Sequence, residues 1–392
     1  MHNHSPLYHG LKAWLSQVSL WAHQGHLTTC ILMIVALIQA GEINLTRWVP
    51  HLPSRGLYAQ SKQRRVRRWL DNPRINVHKL YQPLISAALA SWQEECLYLS
   101  LDTSIFWESY CLVRVAVVHR GRTLPVAWRV LAHPSASVTF KDYQGVLQRA
   151  SRCLPEGKKI VLLADRGFVH LELLKTLTRQ WRWSYRIRLK QNTWVWRQGK
   201  RWQRLKDFHF QWGQALCLHG IRLHKSQYYG PVHLIFGRNN CNGEFWAILS
   251  NEPTNLQTFA EYGMRFQIEE SFLDDQSNVW NIQKSQIRSV CAFSRLWFLL
   301  AVATLFATAQ GLTVVEHGHR RWVDPHWFRG HSYLRLGWDW LKTAFYNGWP
   351  IIHQVAFFSH QAPQPAMASL RQHHRRLYAL EFTLQVYSYE SS

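Results

Sequence analysis

Tyr262, Arg265, Glu269 and Gln276 stand at i, i+3, i+7 and i+14 in the stretch YGMRFQIEESFLDDQ. At about 100° per residue, those offsets fall within an arc of about 60° on a helix. A phenol, a guanidinium, a carboxylate and an amide would then project from one stripe. A carboxylate beside an arginine suits a site that holds a metal ion and a phosphate together. An exposed ion-pairing face is the other reading of this stretch alone. Asp274 and Asp275 fall about 120° or more off the stripe and read as solvent-facing, and Glu270, about 80° off, ranks below Glu269 as a ligand.

Two carboxylates elsewhere have the right surroundings to join Glu269. Asp102 interrupts the apolar alternation of LYLSLDTSIF and falls on the face opposite Leu97, Leu99 and Leu101. A charge inside a buried strand is hard to dismiss as decoration. Asp165 closes the apolar run KKIVLLADRGF just before Arg166-Gly167, where an aspartate also serves as an ordinary turn former. If those two strands are neighbours, both carboxylates leave the same edge of the sheet, where ligands of open α/β sheets gather. Three carboxylates suffice to hold two divalent ions for in-line attack on a phosphodiester, and oxygen ligands favour Mg2+ or Mn2+.

The elements that must position these groups follow from periodicity. Residues 1–95 read as a helical DNA-binding domain. Thr28 to Ala40 is an apolar helix closed by Gly41, and a second helix opening at Ser61 carries KQRRVRRWL. There Val66, Trp69 and Leu70 form a packing stripe opposite Arg64, Arg65, Arg67 and Arg68, which face DNA. Residues 96–310 read as the catalytic domain. Three strands (97–106, 111–120, 123–133) precede a helix over 140–152, a buried strand at 158–168, a helix over 171–180 and a fifth strand at 183–190. That order predicts a mixed, ribonuclease H-like five-stranded α/β sheet. Residues 191–250 form a β-rich basic insertion, where WVWRQGKRW alternates large apolar and basic residues about Gly199. Ile287 to Gln310 is an apolar helix that would cover the sheet. Residues 311–392 complete a helical C-terminal region, with subunit or DNA contacts placed over 359–392.

Composition bounds the partners. Forty-six Lys and Arg against 23 Asp and Glu give a formal charge of +23, which calls for a polyanion. Twenty-one Trp and 15 Tyr suit base stacking as well as packing. Seven scattered cysteines without a CxxC pair argue against a disulfide framework or zinc knuckle and fit a reducing interior. The polar, His-rich first residues do not read as a signal peptide, and Leu296 to Ala309, at 14 residues, is too short to span a bilayer. No membrane partner is expected. The pairs His317/His319 and His373/His374 lack companions at metal-ligand spacing and read as surface or DNA-facing.

Asp102, Asp165 in LLADRGF and Tyr262-x2-Arg265-x3-Glu269 together resemble the DDE transposases of bacterial insertion sequences, in particular the insertion-sequence-4 group, whose signature is Tyr-x2-Arg-x3-Glu-x6-Lys. The resemblance covers roughly residues 60–345. It implies cut-and-paste transposition: binding of terminal inverted repeats, strand cleavage, end hairpins, and joining of 3′-OH ends to target DNA. It also implies metal binding by Asp102, Asp165 and Glu269, two ions per site, phosphate contacts by Tyr262 and Arg265, a homodimer in the synaptic complex, and a bacterial cytoplasmic, nucleoid-associated location. Gln276 stands where the signature has lysine and can hydrogen-bond a phosphate without charge, so Lys284 is the nearby substitute. Trp246, in EFWAILSNEP, matches the family tryptophan that stacks on a flipped base. The competing readings are a ribonuclease H-like nuclease or resolvase that cuts without joining, and a domesticated, catalytically idle DNA-binding protein.

Overall fold

Helices and strands appear in the expected order, and the alternation along the first strand explains how the site is built. The structure, a computed structural model, describes residues 5–53, 58–197, 199–240, 242–327, 331–357 and 383–387, the last by backbone alone. Five helices lead: α1 (Pro6–Val18), α2 (Gln24–Ala40), α3 (Leu45–Trp48), α4 (Ala59–Asp71) and α5 (Val77–Leu89). Gly41 ends α2 in the left-handed conformation, with φ of 68°. There follow β1 (Cys96–Phe106), β2 (Tyr110–His119), β3 (Arg122–Leu131), α6 (Phe140–Ser151), β4 (Lys159–Ala164), α7 (Leu171–Lys175) and β5 (Ser184–Arg188). The insertion supplies β6 (Trp194–Trp196), β7 (Gln203–Arg204), β8 (Gln214–Leu223), β9 (Tyr229–Arg238) and β10 (Phe245–Ser250). Helices α8 (Leu256–Gly263), α9 (Phe266–Leu273), α10 (Val290–Glu316) and α11 (Tyr333–Asn347) come next, then β11 (Thr383–Tyr387).

The fold is mixed α/β around one large sheet, ordered β3-β2-β1-β4-β5-β10-β9-β8-β6-β7, with β11 pairing β8. Strands β1–β4 and β4–β5 pair in parallel, and β1–β2 and β2–β3 in antiparallel fashion. The expected five-stranded sheet is thus corrected to 11 strands. The insertion does not stand apart, because β10 hydrogen-bonds antiparallel to β5 and continues the sheet through β9 and β8. Otherwise β5 would present an unpaired edge. The expectation of a wholly helical C-terminal region is corrected too, since β11 adds a strand in parallel to β8. His373, His374 and most of 359–392 lie outside the described residues.

The core runs without a break from the N-terminal helices into the sheet. Its centre is α10, which packs on α2, α4, α5, α11 and β3. This helix is longer than the apolar run suggests, and by length and composition it could cross a membrane; 83% of its most apolar window is buried in the fold. Buried Arg295 fastens it to the N-terminal helices by donating to the carbonyls of Leu70 and Ile75, at 2.9 and 3.3 Å. Helices α10 and α11 cross closely enough that a Cβ at Gly337 would run into the carbonyl oxygen of Ala307. In α4, Val66, Trp69 and Leu70 are buried, and Arg64, Arg67 and Arg68 are exposed. Arg65 is half-buried, its Nε donating to Thr29 Oγ1 at 3.1 Å.

Candidate active site

Strand β1 turns its even-numbered side chains toward the segment that runs from α8 through α9. Tyr98 Oη donates to Glu261 at 3.3 Å, Asp102 Oδ2 accepts from Arg265 Nη1 at 2.8 Å, and Gln276 Nε2 donates to Ser104 Oγ at 2.9 Å. Tyr98, Asp102 and Ser104, three polar residues that interrupt the strand's apolar pattern, are therefore its contacts with the chain between Glu261 and Gln276. The last parallel rung between β1 and β4 is Leu101–Ala164. Asp102 and Asp165 are each the next residue, so the sheet delivers them side by side at one end. Asp165 also caps its own turn, Oδ1 accepting from the Gly167 N–H at 2.7 Å.

Glu269 completes the cluster from α9, joined to Asp102 by one guanidinium. Arg265 Nη2 lies 2.5 Å from Glu269 Oε1, while its Nη1 holds Asp102. Burial pushes the Asp102 carboxyl up to about 6, against the pull of Arg265 and of the Thr103 N–H, and the charges of Asp165 and Glu269 push the same way. The charges of both other carboxylates thus reach Asp102. Among the described residues, no group of three or more His, Cys, Asp or Glu stands ready to hold a metal ion. As donors, however, Asp102, Asp165 and Glu269 fit Mg2+ or Mn2+, being all oxygen. A cation, the guanidinium, already sits between two of them.

The single stripe from Tyr262 to Gln276 is corrected. Four i→i−3 hydrogen bonds, from Met264, Arg265, Gln267 and Ile268, tighten the chain between α8 and α9, and Asp274–Asn278 widens into a π turn. Uniform rotation of about 100° per residue fails at both ends. Tyr262 consequently turns inward. It is fully buried, 5.4 Å from the ring of Trp246, which is 4% exposed and also packs on Phe259 and Phe266. Both rings are buried here, so the expected DNA contacts of Tyr262 and Trp246 require this cluster to open. Arg265, 6% exposed with both terminal nitrogens engaged, offers no phosphate contact either. Gln276 is held on Ser104, and Lys284 Nζ lies 2.5 Å from Glu42, in the turn after α2.

Asp274 and Asp275 are not solvent-facing. Both are buried, Asp275 against Arg114 at 2.5 Å and Asp274 against Arg122 at 2.7 Å. Glu270 Oε2 lies 3.7 Å from Arg122. The π turn swings the aspartates onto the sheet, where Arg114 is the direct cross-strand partner of Asp102. Two arginine–carboxylate links therefore run in opposite directions between the β1–β2 pair and the catalytic helix. Gln267 accepts from the Gly121 N–H, and Ser271 accepts from the Thr123 N–H, at 3.0 and 2.8 Å. Arg114 and Arg122 position Glu269 without belonging to the cluster. The missed signal was an arginine inside the apolar strand CLVRVAVVH, which requires a buried carboxylate as partner. A similar network ties β5 to α8, with Arg186 bonded to Glu252 and Glu261.

A family model described as a transposase DDE domain matches residues 109–306, half of the chain. The chain belongs to that family. Asp165 and Glu269 of this transposase lie within the matched segment, and Asp102 lies seven residues before it. Among solved structures, the cryo-EM structure of a piggyBac transposase synaptic complex with hairpin DNA is similar at 12% identity and a TM-score of 0.43, covering 94% of this chain and 81% of that one. No curated protein matches.

Proposed function

We propose that this chain is a cut-and-paste DNA transposase of the insertion-sequence-4 type, with β1–β5 and the flanking helices forming a ribonuclease H-like catalytic core. The observation that carries the reading is that Arg265 joins Asp102 to Glu269 where the β1–β4 register sets Asp165 beside Asp102, in a chain of the DDE family. The strand order β3-β2-β1-β4-β5 supports it, as does the charge of +23. The substrate would be double-stranded DNA bearing terminal inverted repeats, cleaved to free a 3′-OH that forms end hairpins and joins target DNA. Asp102, Asp165 and Glu269 would hold two Mg2+ or Mn2+ ions. Such ions supply activation of the attacking oxygen and stabilisation of the leaving one. We place the enzyme in the bacterial cytoplasm, acting on paired transposon ends as a homodimer. Base stacking by Trp246 would require its cluster with Tyr262 and Phe266 to open.

The test is excision, in cells, of a marker flanked by this gene's own bordering DNA. Excision by wild type, and by neither Glu269→Ala nor Asp165→Ala, is the expected result. Activity surviving both substitutions would place the active site elsewhere.

A second prediction concerns α4. Converting Arg64, Arg67 and Arg68 to alanine together removes exposed charge without touching the buried stripe. DNA affinity is expected to fall, and the slope of log affinity against log salt to become shallower by about 0.9 for each phosphate no longer neutralised. A slope equal to that of wild type, measured by anisotropy at several salt concentrations, would remove α4 from the DNA interface.

A further inference from the structure

Arg265 joins Asp102 and Glu269 across the candidate active site. Its two terminal nitrogens are bonded to Asp102 and Glu269, and its guanidinium stacks 4.8 Å above the ring of Phe266 and is 6% exposed. Two carboxylate oxygens that would serve as ligands are thus neutralised by the chain's own cation. Their tethers differ. Asp102 is fixed on a strand within the sheet, with its other oxygen accepting from the Thr103 N–H at 2.8 Å, whereas the Glu269 side chain is 50% exposed. The link to Glu269 is the one solvent can reach.

We propose that Arg265 is a latch: in the DNA-free protein it closes Asp102 and Glu269 against divalent cations, and it opens when a DNA phosphate takes its guanidinium. The inference rests on the transposase reading above and adds an order of events, DNA first and metal second. Arginine suits both positions, because its planar fork pairs with two oxygens of a carboxylate pair or of a phosphate equally well. Phosphate binding and metal binding are then coupled, and the coupling must be reciprocal. A closed latch also lowers apparent metal affinity by the fraction of molecules that are open. It would keep the protein from cutting before an end is bound.

The experiment is Mn2+ binding to the full chain, followed by electron paramagnetic resonance without catalysis, with and without a non-cleavable duplex. Wild type is expected to bind Mn2+ weakly alone and at least about tenfold more tightly with DNA, as for a site closed about nine-tenths of the time or more. Arg265→Gln is expected to bind Mn2+ at least about tenfold more tightly than wild type without DNA, with little further gain on adding it. Arg265→Lys, which keeps the charge but loses the planar, pre-organised fork, should fall between and guards against a glutamine variant that fails to fold. Unchanged or weaker Mn2+ binding in both folded variants would overturn the latch and make Arg265 a scaffold. If wild type binds no Mn2+ even with DNA and does not cut, the transposase reading fails as well. If it cuts while the variants gain nothing, only the latch falls.

Discussion

Arg114→Met is expected to lower the folding free energy by about 3–5 kcal/mol near neutral pH, the cost of leaving one member of a buried pair uncompensated. Arg114 and Asp275 have side chains only 1% and 6% exposed. Burial pushes the Asp275 carboxyl up to about 6, and the charge of Asp274 adds to the push, while the charge and hydrogen bond of Arg114 pull it down. Without Arg114 the folded-state value climbs further above the unfolded value of about 3.9. An acid raised in the folded state binds more protons there than in the unfolded chain between those two values, so stability falls as pH rises through that window. The variant should therefore be weakest at alkaline pH and approach wild type as pH falls toward about 4. Two neighbouring groups bear on the pair. Arg122 stays bonded to Asp274 in the variant. His119, which lines a small cavity together with Arg114, Arg122 and Asp275, is lowered to about 3 by burial and stays neutral across the window. Urea midpoints at a series of pH values check this. A loss independent of pH would instead assign the cost to the guanidinium's packing on Phe272, at 4.1 Å. Replacing both partners, Arg114→Met with Asp275→Leu, should recover most of the stability.

Much of the site was legible because strand alternation and register are local signals. Asp102 stands out in β1 by its face alone, and Asp165 by ending an apolar run; the rung Leu101–Ala164 then sets them side by side. Arg265 and Glu269 fall at i, i+4 within one turn, too short a span for errors in helical angle to accumulate. Tyr262 turns inward and Asp274 and Asp275 are buried, off the positions that uniform helical rotation predicts, because the chain is tighter than an α-helix before Phe266 and wider after Leu273. Those departures answer to partners distant in sequence: Trp246 in β10, and Arg114 and Arg122 in β2 and β3. The same limit hid the continuous sheet. The strands of the insertion were visible one by one, but the antiparallel rungs Ile248–Arg188 and Leu249–Ile187 join segments whose pairing no local pattern specifies.

Asp102→Asn separates chemistry from architecture. Strand cleavage is expected to fall by more than about 100-fold, since changes to groups that merely orient metal ligands already cost about 10–100-fold in affinity or activity. The fold should persist. Asparagine keeps the size of the side chain and removes a charge whose burial is unfavourable, but its single carbonyl oxygen can accept from Arg265 Nη1 or from the Thr103 N–H, not from both as the two carboxylate oxygens do. Thermal midpoint is therefore expected to fall modestly and DNA affinity to match wild type, while nicking of an end-bearing duplex is lost. Near-wild-type nicking by a folded Asp102→Asn would exclude this carboxylate from the reaction and leave Asp165 and Glu269 as the working pair. A midpoint lowered as far as in Arg114→Met would mean instead that the anionic bond to Arg265 is structural, fixing α9 on β1. The latch would then be too costly to open without DNA already in place. The comparison thus asks whether Asp102 is kept charged for the substrate or for the fold.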